Sequence, residues 1–212
     1  VVLEDGTFMQ QDKMSTQAAL LDLKTLTWKE TGTVSKGDRW NDEEGLTLLP
    51  NGKVLTVNCY TESHFIPTMY PYPADPTGSQ IYDPKTGKWE SAGSTINSLT
   101  NPEGSEMGAA ILRPNGTVFQ IGSSGYTSIY DYRKNKWSVG PKIPSGPGDE
   151  GQLGQQDGAA ALLPNGNVLF GASPVDPVFA PPVHFFVFDG TNLYEQPNIP
   201  NATQENPSFG SP

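Results

Sequence analysis

The sequence predicts an all-β chain made of four copies of a four-stranded unit. Three observations lead there. Gly (23) and Pro (20) supply 43 of the 212 residues, a density of helix breakers that a mainly helical protein does not tolerate. A Pro-Asn-Gly or Asp-Gly turn recurs along the chain. A second turn, opened by Asp and closed by an aromatic residue, follows each copy of the first. The chain is 35% hydrophobic and only 17% charged, too apolar for disorder, and its apolar residues are too dispersed for a membrane span.

The first turn reads LEDGTF (3–8), LPNGKV (49–54), RPNGTV (113–118) and LPNGNV (163–168). Asn-Gly and Asp-Gly take the positive φ angles of a tight hairpin at little cost. The segments LTLLP, AAILRP and AALLP run into the turn. KVLTV, TVFQI and NVLFG run out, with the length and the β-branched and aromatic content of strands. The second turn reads LLDLKTLTW (20–28), IYDPKTGKW (81–89), IYDYRKNKW (129–137) and VFDGTNLY (187–194). Its Asp is expected to cap the turn through backbone N–H groups. Trp28, Trp89 and Trp137 each stand six residues after that Asp; the fourth copy is one residue shorter, and Tyr194 is expected in the Trp position. These aromatics are expected to pack between repeats.

Two hairpins per unit, repeating every ~45–65 residues, are the signature of a β-propeller blade. The approximate blades are 1–37, 38–95, 96–144 and 145–200, with 201–212 a tail or the start of another. The unit resembles the kelch repeat in the form found in galactose-oxidase-like propellers, and the Y-D-P-x-T-G-x-W turn at 82–89 is its most specific piece. The stretch WNDEEGLTLLPNGKVLTVN (40–58) is similar to a secreted branch of kelch-like propellers. Such rings close with six or seven blades, so the resemblance implies that the four repeats are a segment of a larger ring; closure of the four as a ring of their own is the competing reading. The resemblance also implies an extracellular setting, although no signal sequence is visible in VVLEDGTF at the start of the chain.

In a blade of this topology the two tight turns share one end. The loops joining strands two and three, and those joining successive blades, share the other. From the first turn's Gly to the second turn's Asp the chain takes 16, 31, 15 and 23 residues in the four copies. Long irregular loops on a stiff scaffold carry function, so binding is expected at the loop-bearing end. The inter-blade segments bring Trp40, Asp42, Glu43 and Glu44, then Glu103 and Glu106, then Asp149, Glu150 and Asp157, ahead of the next innermost strand. That acidic rim could receive sugar hydroxyls, a cationic group or Ca²⁺. The loop at 59–79 adds Tyr60, Phe65, Tyr70 and Tyr72, and the loop at 172–184 adds Phe179 and His184. Their aromatic faces suit stacking on a sugar ring.

The formal net charge of −10 argues against nucleic acid and anionic membrane surfaces. No phosphate-binding loop, G-x-S-x-G elbow or H-E-x-x-H occurs. The expected role is an extracellular, non-catalytic binding propeller for a carbohydrate or a protein, needing no cofactor. The alternative implied by the resemblance is a copper-radical oxidase of alcohols or aldehydes. Such a site uses a Tyr linked to Cys, a second Tyr and two His, and the chain holds Cys59, Tyr60, His64 and His184. Adjacent side chains on a strand diverge, which disfavours a link between Cys59 and Tyr60. A third reading is a structural segment that self-associates through exposed blade edges. Asn115 and Asn201 each head an N-x-T sequon and are candidates for glycosylation.

Overall fold

The computed structural model describes residues 1–12, 15–33, 44–59, 77–101, 106–176 and 180–200. These residues form four antiparallel sheets and no helix. The first sheet is β1 (Phe8–Gln11), β2 (Gln17–Asp22) and β3 (Thr27–Thr33). The second is β4 (Thr47–Leu48), β5 (Val54–Val57), β6 (Gly78–Asp83) and β7 (Lys88–Ser94). The third is β8 (Ala110–Leu112), β9 (Thr117–Ile121), β10 (Thr127–Asp131) and β11 (Lys136–Val139). The fourth is β12 (Leu153–Gly154), β13 (Ala160–Leu162), β14 (Val168–Pro174), β15 (His184–Phe188) and β16 (Leu193–Gln196). Two sheets depart from four strands. In the first, the place ahead of β1 is held by a single bridge, Val2 to Phe8. In the fourth, β14 is long enough to pair with both β13 and β12.

Both recurrent turns form as their residues dictate. Gly52, Gly116 and Gly166 sit at φ of 80°, 83° and 83°, and each donates its N–H to the carbonyl three residues back at 2.9 Å. The Asn before each accepts from the backbone two residues on. In the second turn, Asp22, Asp83, Asp131 and Asp189 accept N–H bonds from Lys24, Lys85, Arg133 and Thr191. The residue two before each Trp is left-handed: Leu26 (55°), Gly87 (69°) and Asn135 (48°).

Each sheet packs face-on against the next. In the second sheet Val54, Tyr82 and Trp89 stand in cross-strand register and join Leu3, Met9 and Ala18 of the first. In the third, Val118, Tyr130 and Trp137 repeat that register and join Leu55, Val57 and Ile81 of the second. The indole N–H of Trp89 reaches back to Thr31 Oγ1 at 3.2 Å, and that of Trp137 to Ser79 Oγ at 2.9 Å. The expected packing of these two aromatics between repeats is therefore present.

The fourth copy differs from expectation. Its shorter turn shifts the register, so Leu193 lies opposite Phe188 and Tyr194 lies opposite Val187. A shift of one residue in a strand sends a side chain to the other face. Leu193 therefore packs against the third sheet, while Tyr194 is 51% exposed. Trp28 is exposed as well, at 55%, with Phe8 as its edge-on aromatic neighbour.

Candidate functional site

The tight turns share one end of the structure, fastened by charge. Lys53 pairs with Asp83 at 3.0 Å. Arg113 crosses to the fourth sheet and donates to the carbonyls of Gly166 and Asp189, with its guanidinium 4.9 Å from the Phe188 ring centre. Asn115 is exposed at the tip of its turn, with Oδ1 accepting from both the backbone and the hydroxyl of Thr117.

The loop-bearing end holds the candidate site. The strands that lead into the Asn-Gly turns, β4, β8 and β13, lie side by side and begin there. Between them opens a cleft of about 250 Å³, lined by Gly45, Val57, Met107, Gly108, Gln120 and Asp157 among others. Its walls are small because backbone runs close on both sides. A Cβ on Gly108 would stand 2.7 Å from Gln155 Oε1, and one on Gly158 2.7 Å from Gln155 Cγ. Gln155 stitches the cleft together. It accepts from Ala109 N–H at 2.9 Å and donates to the carbonyls of Ala159 and Gly171 at 3.1 and 2.9 Å. Gln120 donates to the carbonyl of Gly108 at 2.9 Å. Asp157 is exposed and left-handed, with φ 47°, a conformation that Asp tolerates better than most residues. It gives the cleft a carboxylate over an otherwise neutral lining.

The other sequence-predicted residues take different places. Glu44 stands in the register position of Gly108 and Gly158. Its carboxylate accepts from Thr56 Oγ1 at 3.1 Å and Cys59 N–H at 3.2 Å, binding the start of β4 to the end of β5. Glu106 lies beside the cleft residues in sequence, and its backbone carbonyl accepts from the Ser123 hydroxyl. His184 opens β15 and is buried; Nε2 meets Glu150 Oε2 at 2.7 Å and Nδ1 meets Glu195 Oε1 at 3.4 Å. That cluster ties the inter-sheet segment to the outer strand and does not line the cleft. Trp40, Asp42, Glu43, Tyr60, His64, Tyr70, Tyr72, Glu103, Phe179 and Asn201 lie outside the described residues.

Sequence reasoning missed Gln155 and the close approach of Gly108 and Gly158. The signal was present as Gly-Ala-Ala at 108–110 and 158–160, a small-residue run leading into β8 and β13.

No family model and no curated protein matches the sequence. Solved structures do match. One is a fungal alcohol oxidase of the AA5 family in complex with copper, 15% identical, with a TM-score of 0.65 over 94% of this chain and 41% of that one. Another is an extracellular domain from B. thetaiotaomicron, 14% identical, with a TM-score of 0.60 over 93% of this chain and 22% of that one. The chain shares the fold of these proteins. It spans less than half the length of either.

The oxidase among these neighbours makes copper the group to test against the residues in hand. Cys59 is 2% exposed and packs in the apolar cluster between the second and third sheets. Both ring nitrogens of His184 face carboxylates. Among the described residues, no three His, Cys, Asp or Glu side chains are placed to share a metal ion. The described residues do not fit a copper centre.

Proposed function

We propose that the four sheets are four kelch-like blades of a propeller, and that the chain is an extracellular, non-catalytic binding module whose ligand sits at the loop-bearing end. The observation that carries this reading is the cleft at the heads of β4, β8 and β13. It combines the exposed carboxylate of Asp157 with a lining of small and apolar residues. A carboxylate without a competing cation suits a ligand rich in hydroxyl donors, which is the chemistry of a carbohydrate; a protein ligand would present a Ser, Thr or Lys side chain there. At about 250 Å³ the cleft falls short of the ~300–1,000 Å³ of a site that engulfs a small molecule. It suits one ring of a longer ligand, with the aromatic loop at 59–79 and the acidic residues Asp42, Glu43 and Glu103 proposed to extend the surface. The extracellular neighbour supports the proposed location.

The test is an oligosaccharide array followed by calorimetry on the full chain. Asp157→Asn is expected to weaken binding about tenfold, the usual value of a charge-assisted hydrogen bond, with the melting temperature unchanged. Binding that ignores this substitution would remove the cleft from the reading.

The oxidase alternative keeps one favourable observation, the fold shared with a copper alcohol oxidase. Copper retained by the purified chain at one per molecule, and lost on Cys59→Ser, would select it over the binding role.

A further inference from the structure

Positive charge is divided unevenly between the two ends of the molecule. Among the described residues, Lys142 is the only Lys or Arg at the loop-bearing end; the others stand in or near the tight turns. Lys142 follows β11, where Gly140 N–H donates to the Thr127 carbonyl at 3.0 Å and Ile143 N–H to the Gly125 carbonyl at 2.9 Å. It is exposed. No carboxylate among the described residues pairs with it. Its ammonium lies 4.9 Å from the ring centre of Tyr126, so a cation is held over an aromatic face.

Tyr126 is 37% exposed, and its hydroxyl has no hydrogen-bond partner among the described residues. The turn that carries it is fixed by close packing. A Cβ on Gly122 would stand 2.7 Å from the Leu99 carbonyl oxygen, and one on Gly125 2.7 Å from the Leu153 carbonyl oxygen. The segment after β7 crosses this turn and is tied to it twice. Ser128 Oγ donates to the Thr95 carbonyl at 2.7 Å, and Ser124 Oγ to the Ser98 carbonyl at 2.8 Å. Between those ties stand Tyr126 on the turn and Ile96 on the segment. Ile96 is 51% exposed and left-handed, with φ 76°. That conformation is an outlier for a β-branched residue, and strain of this kind collects at binding and active sites.

The strand register relates this place to the cleft. Gly108 stands two residues before Ala110 and Tyr126 two residues before Ser128, and Ala110 and Ser128 both pair with Gln120. Tyr126 is therefore level with Gly108 and two strands away, about 10 Å at the usual strand spacing. That is the span of a short oligosaccharide. The two places differ in chemistry: the cleft offers the Asp157 carboxylate, and the second place offers a cation and a phenol. We propose that Lys142 and Tyr126 bind the carboxylate-bearing ring of an acidic oligosaccharide, a hexuronate, while a neutral ring of the same ligand occupies the cleft. This rests on the carbohydrate reading given above. The Lys142 ammonium donates to the carboxylate, and the Tyr126 hydroxyl meets a ring hydroxyl. Because the ammonium already rests on the Tyr126 ring, it loses little freedom on binding. A net charge of −10 disfavours a ligand with a charge on every ring. At cellular salt, charges beyond ~8 Å are screened, which leaves Lys142 as the charge that a single carboxylate meets.

The test is an array of oligosaccharides in matched pairs, one member carrying a single hexuronate and the other the neutral hexose, such as cellobiouronate against cellobiose. Calorimetry on the full chain then follows with the tightest pair. The acidic member is expected to bind about tenfold tighter, as for a charge-assisted hydrogen bond, and the preference should shrink as salt is raised. Lys142→Gln changes an exposed side chain, so the melting temperature should hold while the preference disappears. Tyr126→Phe, which removes only the hydroxyl, should weaken the acidic member about threefold. Pairs bound equally would overturn the proposal, and so would a preference that survives Lys142→Gln. If the pairs bind equally and Asp157→Asn still weakens both, the cleft stands without the second site. If no sugar of either kind binds, the carbohydrate reading falls with it. Capture of Asp-bearing peptides in place of the sugars would assign Lys142 to a protein ligand and overturn the proposal as well.

Discussion

Truncating the three tryptophans of the second turn tests whether the joints between sheets hold this fold together. They occupy one sequence position in three copies of the repeat, yet their surroundings differ. Trp137 is 3% exposed and donates to Ser79 at 2.9 Å; Trp89 is partly buried and donates to Thr31 at 3.2 Å; Trp28 is 55% exposed. An aromatic side chain removes roughly 150–250 Å² from water, worth about 4–6 kcal/mol at ~25 cal/mol/Å² as an upper figure. Measured truncations of buried aromatics cost about 3–5 kcal/mol. Trp137→Ala is therefore expected to cost ~4 kcal/mol, which includes about 1 kcal/mol for the lost hydrogen bond. Trp89→Ala should cost ~3 kcal/mol, and Trp28→Ala about 1–2 kcal/mol, scaled by the area each hides. Urea unfolding of dilute, monomeric samples measures all three. The midpoint should fall most for Trp137 and least for Trp28, with the slope unchanged. Equal losses would refute the reasoning, because they would mean that the motif acts through its own turn and not through the sheet it leans on.

Three further outcomes are expected. Leu26 holds a left-handed conformation at 72% exposure, so Leu26→Gly should relieve about 1–2 kcal/mol of strain against ~0.5–1 kcal/mol of lost chain entropy, a small net gain visible as a higher urea midpoint. Gly154→Ala places a Cβ 2.1 Å from the Ser123 carbonyl oxygen; backbone must separate there, and a loss of about 1–3 kcal/mol is expected by thermal melting. Acid should weaken the fold from the turn end: Lys24 N–H bonds hold Asp22 below the usual carboxylate range, Lys53 does so for Asp83, Lys134 for Asp131 and the Asn192 N–H for Asp189. A carboxyl whose folded pKa is depressed contributes fully above its unfolded value of ~3.9 and loses that contribution as pH falls through the folded one. The urea midpoint should therefore hold near neutrality and drop below about pH 4, and removing a cap with Asp→Asn should flatten that drop.

Features fixed by local chemistry were legible in the sequence. Asn-Gly at 51–52, 115–116 and 165–166, and the Asp of each second turn, make bonds to backbone two or three residues away. Their turn types could be read from a short window, and the strands on either side followed. Tyr194 was misplaced because the conserved spacing of the repeat hides what a one-residue deletion does in a strand. The turn kept its Asp and its aromatic, but the aromatic moved to the other face and Leu193 took the joint. The stitches of the loop-bearing end were not legible. Gln155 meets Ala109 and Gly171 across 46 and 16 residues, and His184 meets Glu150 across 34. No periodicity marks such partners. Glu44 read as one acid of a rim, whereas its oxygens serve Thr56 and Cys59 of the same sheet.

The two ends of the molecule are stabilised by different means, and the difference bears on where binding can evolve. At the turn end each connection is short, closed by its own Asn or Asp, and crossed by Lys53 and Arg113 to neighbouring turns. A longer loop there would break a cap and a cross-tie together. At the loop-bearing end the sheets are held by single side chains, Gln155, Glu44 and His184, that reach over the strand ends from positions adjoining the loops. A loop between those positions can lengthen without touching them, because closing a longer loop costs only ~0.6 kcal/mol per doubling. The Gly-to-Asp spans of 16, 31, 15 and 23 residues show that freedom in use. Asp157 gains from the same arrangement. Its neighbours Gln155 and Gly158 are fixed by the joint between the third and fourth sheets, so its carboxylate is held at the cleft by packing that any change of ligand would leave intact.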